Sequence, residues 1–199
     1  YHRQIPSLKS AAIAAVNELT SEIGTNNLLC QQAVDFIHAN ETILTFGYNK
    51  IVESFLKSAG NKRQFHLFIA EAAPGLEGHL LAQALSAVPN IAVTLIPDAN
   101  IYAIMSRVNK VVLAAQAIMA DGSAITPAGH TLAVIAAKEC SIPVVYCAGA
   151  FTLTPLFAHN QTVALQHLLS PAAVLSYHGQ SKHRVGGSFN SISGDSEAG

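Results

Sequence analysis

A glycine-bearing turn between an apolar run and a helical pattern is the first place where this sequence could do chemistry. The run TILTFG (42–47) is followed by Asn49 and Lys50, and a helical pattern begins there. A strand, a turn and a helix N-terminus favour anions, because unpaired backbone N–H groups and the helix dipole both attract negative charge. The turn lacks the repeated glycines of dinucleotide-binding or P-loop motifs. Its spacing is compatible with a phosphate site and equally with a structural turn.

Acid–base chemistry needs a titratable side chain in a cleft, and Glu71 and Asp98 qualify by their position after apolar runs. Asp98 could instead cap a short helix, and Glu71 could serve as an oriented hydrogen-bond acceptor. Nucleophilic catalysis needs a cysteine or serine beside a base, and none of the cysteines lies in a predicted strand-end loop. Cys30, Cys140 and Cys147 show no metal-type spacing. We predict buried, reduced thiols of a cytosolic protein.

The sequence contains nine histidines, but none of them is paired at the i, i+4 spacing of a helical metal site. We therefore predict no metal and no cofactor. His79 and His130 lie near predicted helix starts, where they could line a cleft or could simply be solvated. His178 and His183 lie in a polar tail.

The elements that would position these residues are apolar strands alternating with helices, which is typical of an α/β parallel sheet covered on both faces. Ligand sites in such sheets lie at the carboxyl ends of the strands. Predicted strands are 42–47, 64–72, 91–97, 110–119 and 142–150, and two helices, 8–23 and about 27–39, precede them. The strand ends then fall near Gly47, Glu71 to Pro74, Asp98, Gln116 and Gly149. The loop 120–129 carries the turn pair Asp121-Gly122, which indicates a small hairpin.

Composition excludes several classes of function. Only 12% of the 199 residues are charged and the net charge is −1, against about 25% charged residues in an average domain. No basic stripe supports direct nucleic-acid binding. No apolar run approaches the roughly 20 residues of a membrane span, and no signal peptide is evident. A surface poor in charge indicates coverage by a protein partner.

Three regions are predicted: a helical segment 1–40, an α/β domain 41–178 and a tail 179–199. The tail is rich in Gly and Ser and is expected to be flexible or to cross to another chain. The start at Tyr1 suggests a fragment of a longer protein.

Two long segments resemble a known family. Residues 45–82 (TFGYNKIVESFLKSAG…) and 103–147 (AIMSRVNKVVLAAQAIMADGSAITPAGHTLAVIAAKECSIPVVYC) are similar to the C-terminal domain of the regulatory subunits of eukaryotic translation initiation factor 2B, most strongly the beta-type. The resemblance implies a Rossmann-like domain. It also implies kinship with methylthioribose-1-phosphate and ribose-1,5-bisphosphate isomerases.

The same resemblance allows a residue check. Where the isomerases carry a catalytic cysteine and aspartate, this chain has Gly47 and Gln116, and their Glu-Thr-Arg-Pro motif has become Glu71-Ala72-Ala73-Pro74. Lys50 alone is a looser phosphate ligand than the lost arginine, and Phe46 and Tyr48 add bulk. We expect no catalytic residue and a vestigial strand-end pocket. Its members are Gly47, Tyr48, Asn49, Lys50, Glu71, Gln116 and Gly129.

The resemblance implies a non-catalytic, cytoplasmic scaffold subunit of the guanine-nucleotide exchange factor for initiation factor 2. Its implied partners are delta-type and alpha-type regulatory subunits, the gamma and epsilon catalytic subunits and initiation factor 2 itself, and a homodimer is possible in isolation. Two alternatives remain open: a sensor that binds a sugar phosphate or nucleotide without turnover, and an aldose–ketose phosphate isomerase.

The partner face is expected around the loop 119–129, which replaces substrate-contacting residues of the isomerases. Ile125 and Pro127 lie outside any strong periodic element there, and Tyr102 and Met105 lie on the neighbouring short helix. Aromatic residues and Met are enriched at interfaces. Small residues in the following helix (Ala133, Ala136, Ala137) would allow close approach.

Overall fold

The computed structural model describes residues 6–24, 26–157 and 174. The chain divides into two units, residues 1–166 and 167–199, and the elements below all belong to the first. Strands are β1 (Thr42–Phe46), β2 (Phe65–Ala70), β3 (Ile91–Ile96), β4 (Lys110–Ala114), β5 (Ala117–Ile118), β6 (Ala124–Ile125) and β7 (Val144–Cys147). Helices are α1 (Pro6–Gly24), α2 (Asn26–Phe36), α3 (Lys50–Gly60), α4 (Glu77–Ser86), α5 (Ile101–Met105) and α6 (His130–Glu139). Short 3-10 turns cover Asp98–Asn100 and Ala150–Thr152.

Five strands form one parallel sheet in the order β3-β2-β1-β4-β7. These strands are rich in Val, Ile, Leu and Phe, as expected when a sheet is buried on both faces. The predicted α/β fold with a parallel sheet preceded by helices is confirmed.

Two apolar cores lie on opposite faces of the sheet. One core joins α2, α3 and α4 to alternate strand residues, among them Ile43, Leu67 and Val112. The other core joins α5 and α6 to the intervening residues of the same strands, among them Leu44 and Leu113. Because successive strand residues point to opposite faces, each strand contributes to both cores. The predicted helices on both faces are therefore present.

The region after β4 differs from the prediction of one strand over 110–119. β4 ends at Ala114, and the backbone N–H of Gln116 donates to the Ile125 carbonyl at 2.8 Å, which opens the β5–β6 hairpin. The predicted hairpin is confirmed, with Gly122 in its turn at φ +81°. The apolar run 110–119 did not reveal where β4 ends and β5 begins, because both strands consist of small apolar residues.

The helical segment is joined to the sheet at the start of β4. The Lys110 ammonium donates to the Phe36 carbonyl at the end of α2, and it forms an ion pair with Glu41 at 3.3 Å. The proposed boundary at 40/41 stays a prediction, and the boundary at 178/179 lies outside the described residues. None of the described helices is long and apolar enough to cross a membrane.

Candidate functional site

The turn after β1 is held in shape by backbone geometry and a helix cap. Gly47 has φ +65°, a conformation that side-chain-bearing residues rarely adopt. The Asn49 side-chain oxygen accepts from the backbone N–H of Ile51 at 2.8 Å and so caps α3. One of the first orphan N–H groups of the helix is therefore already satisfied by the chain itself.

Tyr48 is tied to the first turns of α3 through a carboxylate. Its hydroxyl donates to Glu53 at 2.9 Å, and Lys57 donates to the other Glu53 oxygen at 2.6 Å. The hydrogen bond from Lys57 is the main reason that the pKa of Glu53 is lowered. The hydrogen bond to Glu53 raises the pKa of Tyr48. The ionised Glu53 is therefore held between the Tyr48 hydroxyl and the Lys57 ammonium.

Asp98 holds the loop that follows β2. Its two carboxylate oxygens accept from the backbone N–H groups of Ala72 at 2.9 Å and Ala73 at 2.8 Å. Ala72 has φ +58°, so the loop presents consecutive N–H groups to one anion. The prediction that Asp98 caps a helix is wrong, since its carboxylate bonds to a loop about 25 residues earlier in the chain.

Phe46 fills the space beside Gly129. A Cβ atom added to Gly129 would lie 2.3 Å from Cζ of Phe46, and Gly129 has φ +94°. The Phe46 ring also lies 5.0 Å from the His130 ring, centroid to centroid. Both side chains are almost fully buried. One side of the strand-end pocket is therefore packed with the chain's own aromatic groups.

His130 opens α6 from inside the protein rather than from a solvated cleft. It is only 4% exposed, and its Nδ1 has no hydrogen-bond partner among the described residues. Burial lowers the pKa of His130, so the imidazole is held neutral. His79, by contrast, is exposed on α4.

The structure brings together only some of the residues predicted for the strand-end pocket. The turn at Gly47 meets the loop after β2, where an added Cβ would be 3.4 Å from the Ala72 Cβ and 4.0 Å from the Glu77 carboxylate. Glu71 uses its backbone: its N–H donates to Ile96 and its carbonyl accepts from Gly78. Gln116 and Lys50 are exposed at the rim. Sequence reasoning missed Glu77, whose nearness to Gly47 depends on a contact across two loops.

A cleft of about 250 Å³ lies at the opposite, amino-terminal end of the strands. It is lined by Asn40, Gln64, Phe65, His66 and Ala92. None of the predicted pocket residues lines this cleft. Among the described residues, no three His, Cys, Asp or Glu side chains are grouped so that they could hold a metal ion.

The cysteines are free and differ in environment. Cys147 is buried, and desolvation raises its pKa to about 12, which leaves an unreactive thiol. Cys30 is half-buried, and Cys140 is exposed. The prediction that all three are buried therefore holds for Cys147 but not for half-buried Cys30, and it is wrong for Cys140, which follows the last turn of α6.

The predicted partner face divides into exposed and buried residues. Tyr102 is 64% exposed, Pro127 is exposed and Ile125 is half-buried. Met105 has no exposed surface, because it packs into the core under α5. Met105 therefore cannot contact a partner directly.

The outer side of α6 was missed by sequence reasoning. Leu132 and Ile135 are 45% and 57% exposed. The alanines that were expected to allow close approach, Ala133, Ala136 and Ala137, face the sheet instead. The 3.6-residue period separates two sides of a helix. When both sides carry apolar residues, as in α6, the period does not show which side faces solvent. The α5–α6 face is defined here as Tyr102, Ile125, Pro127, Leu132 and Ile135.

A profile of the initiation factor 2 subunit family matches residues 2–186. The chain belongs to the initiation factor 2 subunit family. The predicted resemblance to the beta-type subunits of factor 2B is also confirmed by its relatives. The chain is 47% identical over 158 residues to translation initiation factor eIF2B subunit beta of Dictyostelium discoideum, covering 78% of this chain and 40% of the relative.

A second relative and a solved structure agree. The chain is 37% identical over 173 residues to eIF2B subunit beta of Schizosaccharomyces pombe, covering 85% of this chain and 44% of that protein. It superposes on a chain of the tetrameric eIF2B-beta2-delta2 complex from C. thermophilum with a TM-score of 0.71 at 26% identity, covering 80% of this chain and 54% of that one. The chain spans less than half the length of the curated relatives that it matches.

Proposed function

We propose that this chain is the C-terminal part of a non-catalytic, beta-type regulatory subunit of the guanine-nucleotide exchange factor for translation initiation factor 2. The observation that carries this proposal is the 47% identity to an eIF2B beta subunit over 78% of the chain. A second eIF2B beta subunit, 37% identical over 85% of the chain, supports the same assignment.

The non-catalytic part of the proposal rests on the groups that occupy the strand-end pocket. Gly47 and Gln116 offer no proton-transfer group at the two positions where the related isomerases have cysteine and aspartate. The N–H donors of Ala72 and Ala73 are occupied by Asp98, and the Glu77 carboxylate lies near the Gly47 turn. A sugar phosphate would therefore find these two backbone donors taken and would meet the carboxylates of Asp98 and Glu77 instead of a bidentate arginine. These features weigh against both the isomerase and the sugar-phosphate sensor.

The proposed partner is a delta-type subunit bound at the α5–α6 face. Tyr102, Leu132 and Ile135 are large apolar residues exposed on two helices that pack against each other. Tyr in particular is enriched at interfaces, where a large apolar body and a hydroxyl can both be used. The likeness to a chain of a beta2-delta2 tetramer supports this choice of partner. Met105 does not contact the partner and supports this face by packing in the core beneath α5.

The wider assembly is part of the same proposal. In it, the subunit also meets an alpha-type regulatory subunit, the gamma and epsilon catalytic subunits and initiation factor 2, and it acts in the cytoplasm. The scaffold contributes no group to nucleotide exchange and binds no cofactor in this proposal.

Capture of a delta-type subunit tests the proposal. The intact protein is co-expressed with a tagged delta-type subunit, and the dissociation constant is then measured for purified components. Ile135→Asp should weaken binding about tenfold or more, because a charge at a buried interface anchor must be desolvated. Leu80→Asp is a matched control, since Leu80 and Ile135 are both 57% exposed but lie on opposite faces of the sheet.

Tyr102→Asp provides a second, independent position on the same face. Circular dichroism should show each variant folded, since these side chains are exposed. Unchanged affinity of Ile135→Asp and Tyr102→Asp would place the delta-type contact elsewhere. No capture of a delta-type subunit by the unmodified protein would contradict the proposed function itself.

A further inference from the structure

The segment that leads from β3 into α5 is fastened to the loop after β2 by one side chain. Asp98 opens the 3-10 turn Asp98–Asn100, and α5 follows directly at Ile101. The Asp98 carboxylate accepts from the backbone N–H groups of Ala72 at 2.9 Å and Ala73 at 2.8 Å. Hydrogen bonds to a carboxylate are stronger than those between neutral groups, and two of them together also fix its direction.

α5 needs such an anchor because it is short. A helix of five residues forms too few internal hydrogen bonds to be stable by itself. Neither Pro97 nor Asn100, the residues that precede the 3-10 turn and α5, provides a side-chain cap. Ile101 and Met105 are fully buried and hold the inner side of α5 in the core. The Asp98 carboxylate adds two directed bonds at the start of this segment.

Tyr102 lies on the outer side of the anchored segment. It follows Asp98 by four residues, which is roughly 6–8 Å along a helix axis, and its side chain is 64% exposed. The Ile101 N–H donates to the Asp98 carbonyl, so the turn and the helix form one continuous stretch. A displacement of Asp98 would therefore move Tyr102. Ile135 lies on α6, which is held separately by its own buried alanines.

We propose that Asp98 is a positioning residue for subunit pairing: by accepting from both amides of the loop after β2, it holds α5 in the orientation in which Tyr102 contacts a delta-type subunit. This inference rests on the proposed function, because it concerns the same α5–α6 face. Asp98 acts through Tyr102 and needs no contact of its own with the partner. The loop after β2 thereby supports the partner face, although it belongs to the strand-end region.

Asp98→Asn tests the anchor with little change in side-chain size. An amide has one acceptor oxygen and an NH2 donor, so the N–H group of either Ala72 or Ala73 would face another donor. Hydrogen exchange of the intact protein should therefore become faster over residues 98–108, while exchange in α6 stays the same.

Glu41→Gln is the matched control. Like Asp98, Glu41 is half-buried, and its carboxylate accepts from a backbone N–H group, that of His38 at 3.0 Å. It lies before β1, at the opposite end of the strands. The control removes a carboxylate of the same kind without touching α5, so exchange over 98–108 should not change.

Affinity for a purified delta-type subunit separates positioning from a general loss of stability. Asp98→Asn should weaken binding about fivefold, and Tyr102→Ala about tenfold. In the Asp98→Asn background, Tyr102→Ala should cost only about another twofold, because the ring has already lost its position. Ile135→Ala should cost the same in both backgrounds, and Glu41→Gln should leave the affinity unchanged.

Two affinity results would overturn the inference. One is unchanged affinity of Asp98→Asn, and the other is strict additivity of Asp98→Asn and Tyr102→Ala, which would give Asp98 a partner contact of its own. No capture by the unmodified protein would contradict the proposed function, and hydrogen exchange then decides the anchoring alone. Unchanged exchange over 98–108 in Asp98→Asn would show that this carboxylate does not hold α5.

Discussion

The ring of Phe46 occupies the space that a side chain on residue 129 would need. A Cβ atom there would lie 2.3 Å from Cζ and 2.7 Å from Cε1 of Phe46. The two residues meet at the carboxyl end of β1 and the N-terminus of α6. The absence of a side chain at position 129 is therefore coupled to the aromatic ring at position 46.

Gly129→Ala should destabilise the fold by about 1–3 kcal/mol, because it combines steric overlap with Phe46 and a positive φ. Urea denaturation at neutral pH measures the change. Gly122→Ala is the control for backbone strain without overlap, since Gly122 also has positive φ but no atom lies within 4 Å of its added Cβ.

The same pair can be tested as a double-mutant cycle. In a Phe46→Ala background, which itself costs about 3–5 kcal/mol, the steric part of the Gly129→Ala penalty should disappear. Coupling between neighbours in contact is commonly 0.5–3 kcal/mol, as an approximate range. Strict additivity of the two changes would show that Phe46 does not occupy this space in solution.

The buried imidazole of His130 predicts a pH dependence of stability. Burial lowers the pKa of His130 in the folded state below the ordinary value of about 6.5. Below that value the unfolded chain binds a proton that the folded chain does not, so the free energy of unfolding decreases as pH falls. As pH falls, the loss of stability should begin near pH 6.5, the unfolded-state pKa, and should stop growing below the lowered folded-state pKa. Above pH 6.5 this group should contribute no pH dependence.

His130→Phe removes this titration and supplies the comparison. Urea denaturation of both proteins between about pH 5 and 8 should show a steeper fall for the unmodified chain below pH 6.5. The readout is the difference in slope, which a simple packing defect would not change. Parallel pH profiles would mean that His130 is protonated equally in the folded and unfolded states.

The strand-end pocket should be catalytically silent. Incubation with methylthioribose-1-phosphate or ribose-1,5-bisphosphate should give no ketose product above the buffer blank, because no proton-transfer pair is present. Gly47→Cys/Gln116→Asp should also be inactive, since Phe46 and Asp98 still fill the pocket. Turnover by the unmodified protein that Glu71→Gln or Asp98→Asn abolishes would contradict the non-catalytic proposal.

The local sequence pattern was sufficient to predict the strands of the sheet and most of the helices. Buried strands such as β1 and β2 are continuous apolar runs, and the helical pattern predicted to begin near Lys50 is α3. The cap by Asn49 was not predicted, since Asn49 was expected only in the pocket. The same pattern could not end β4 at Ala114 or show that Met105 points inward, because apolar character alone does not reveal which side of a five-residue helix meets the core.

Long-range contacts were the part that sequence reasoning could not supply. Asp98 has the residue type and position of a helix cap, yet its carboxylate bonds to the loop after β2. Nothing near Phe46 in the sequence indicates that its ring packs against Gly129 and His130. These contacts depend on which loops meet at one edge of the sheet, and that is set by strand order rather than by local spacing.

Asp98 also has a consequence for access of a free ligand to this loop. Its two carboxylate oxygens accept from the N–H groups of Ala72 and Ala73, so an anion and this carboxylate exclude each other at the same two donors. The loop therefore carries its own ligand, which is tethered to the chain and must be displaced before a free anion can bind. The effective concentration of such a tethered ligand does not fall on dilution, so the carboxylate competes equally well at any protein concentration.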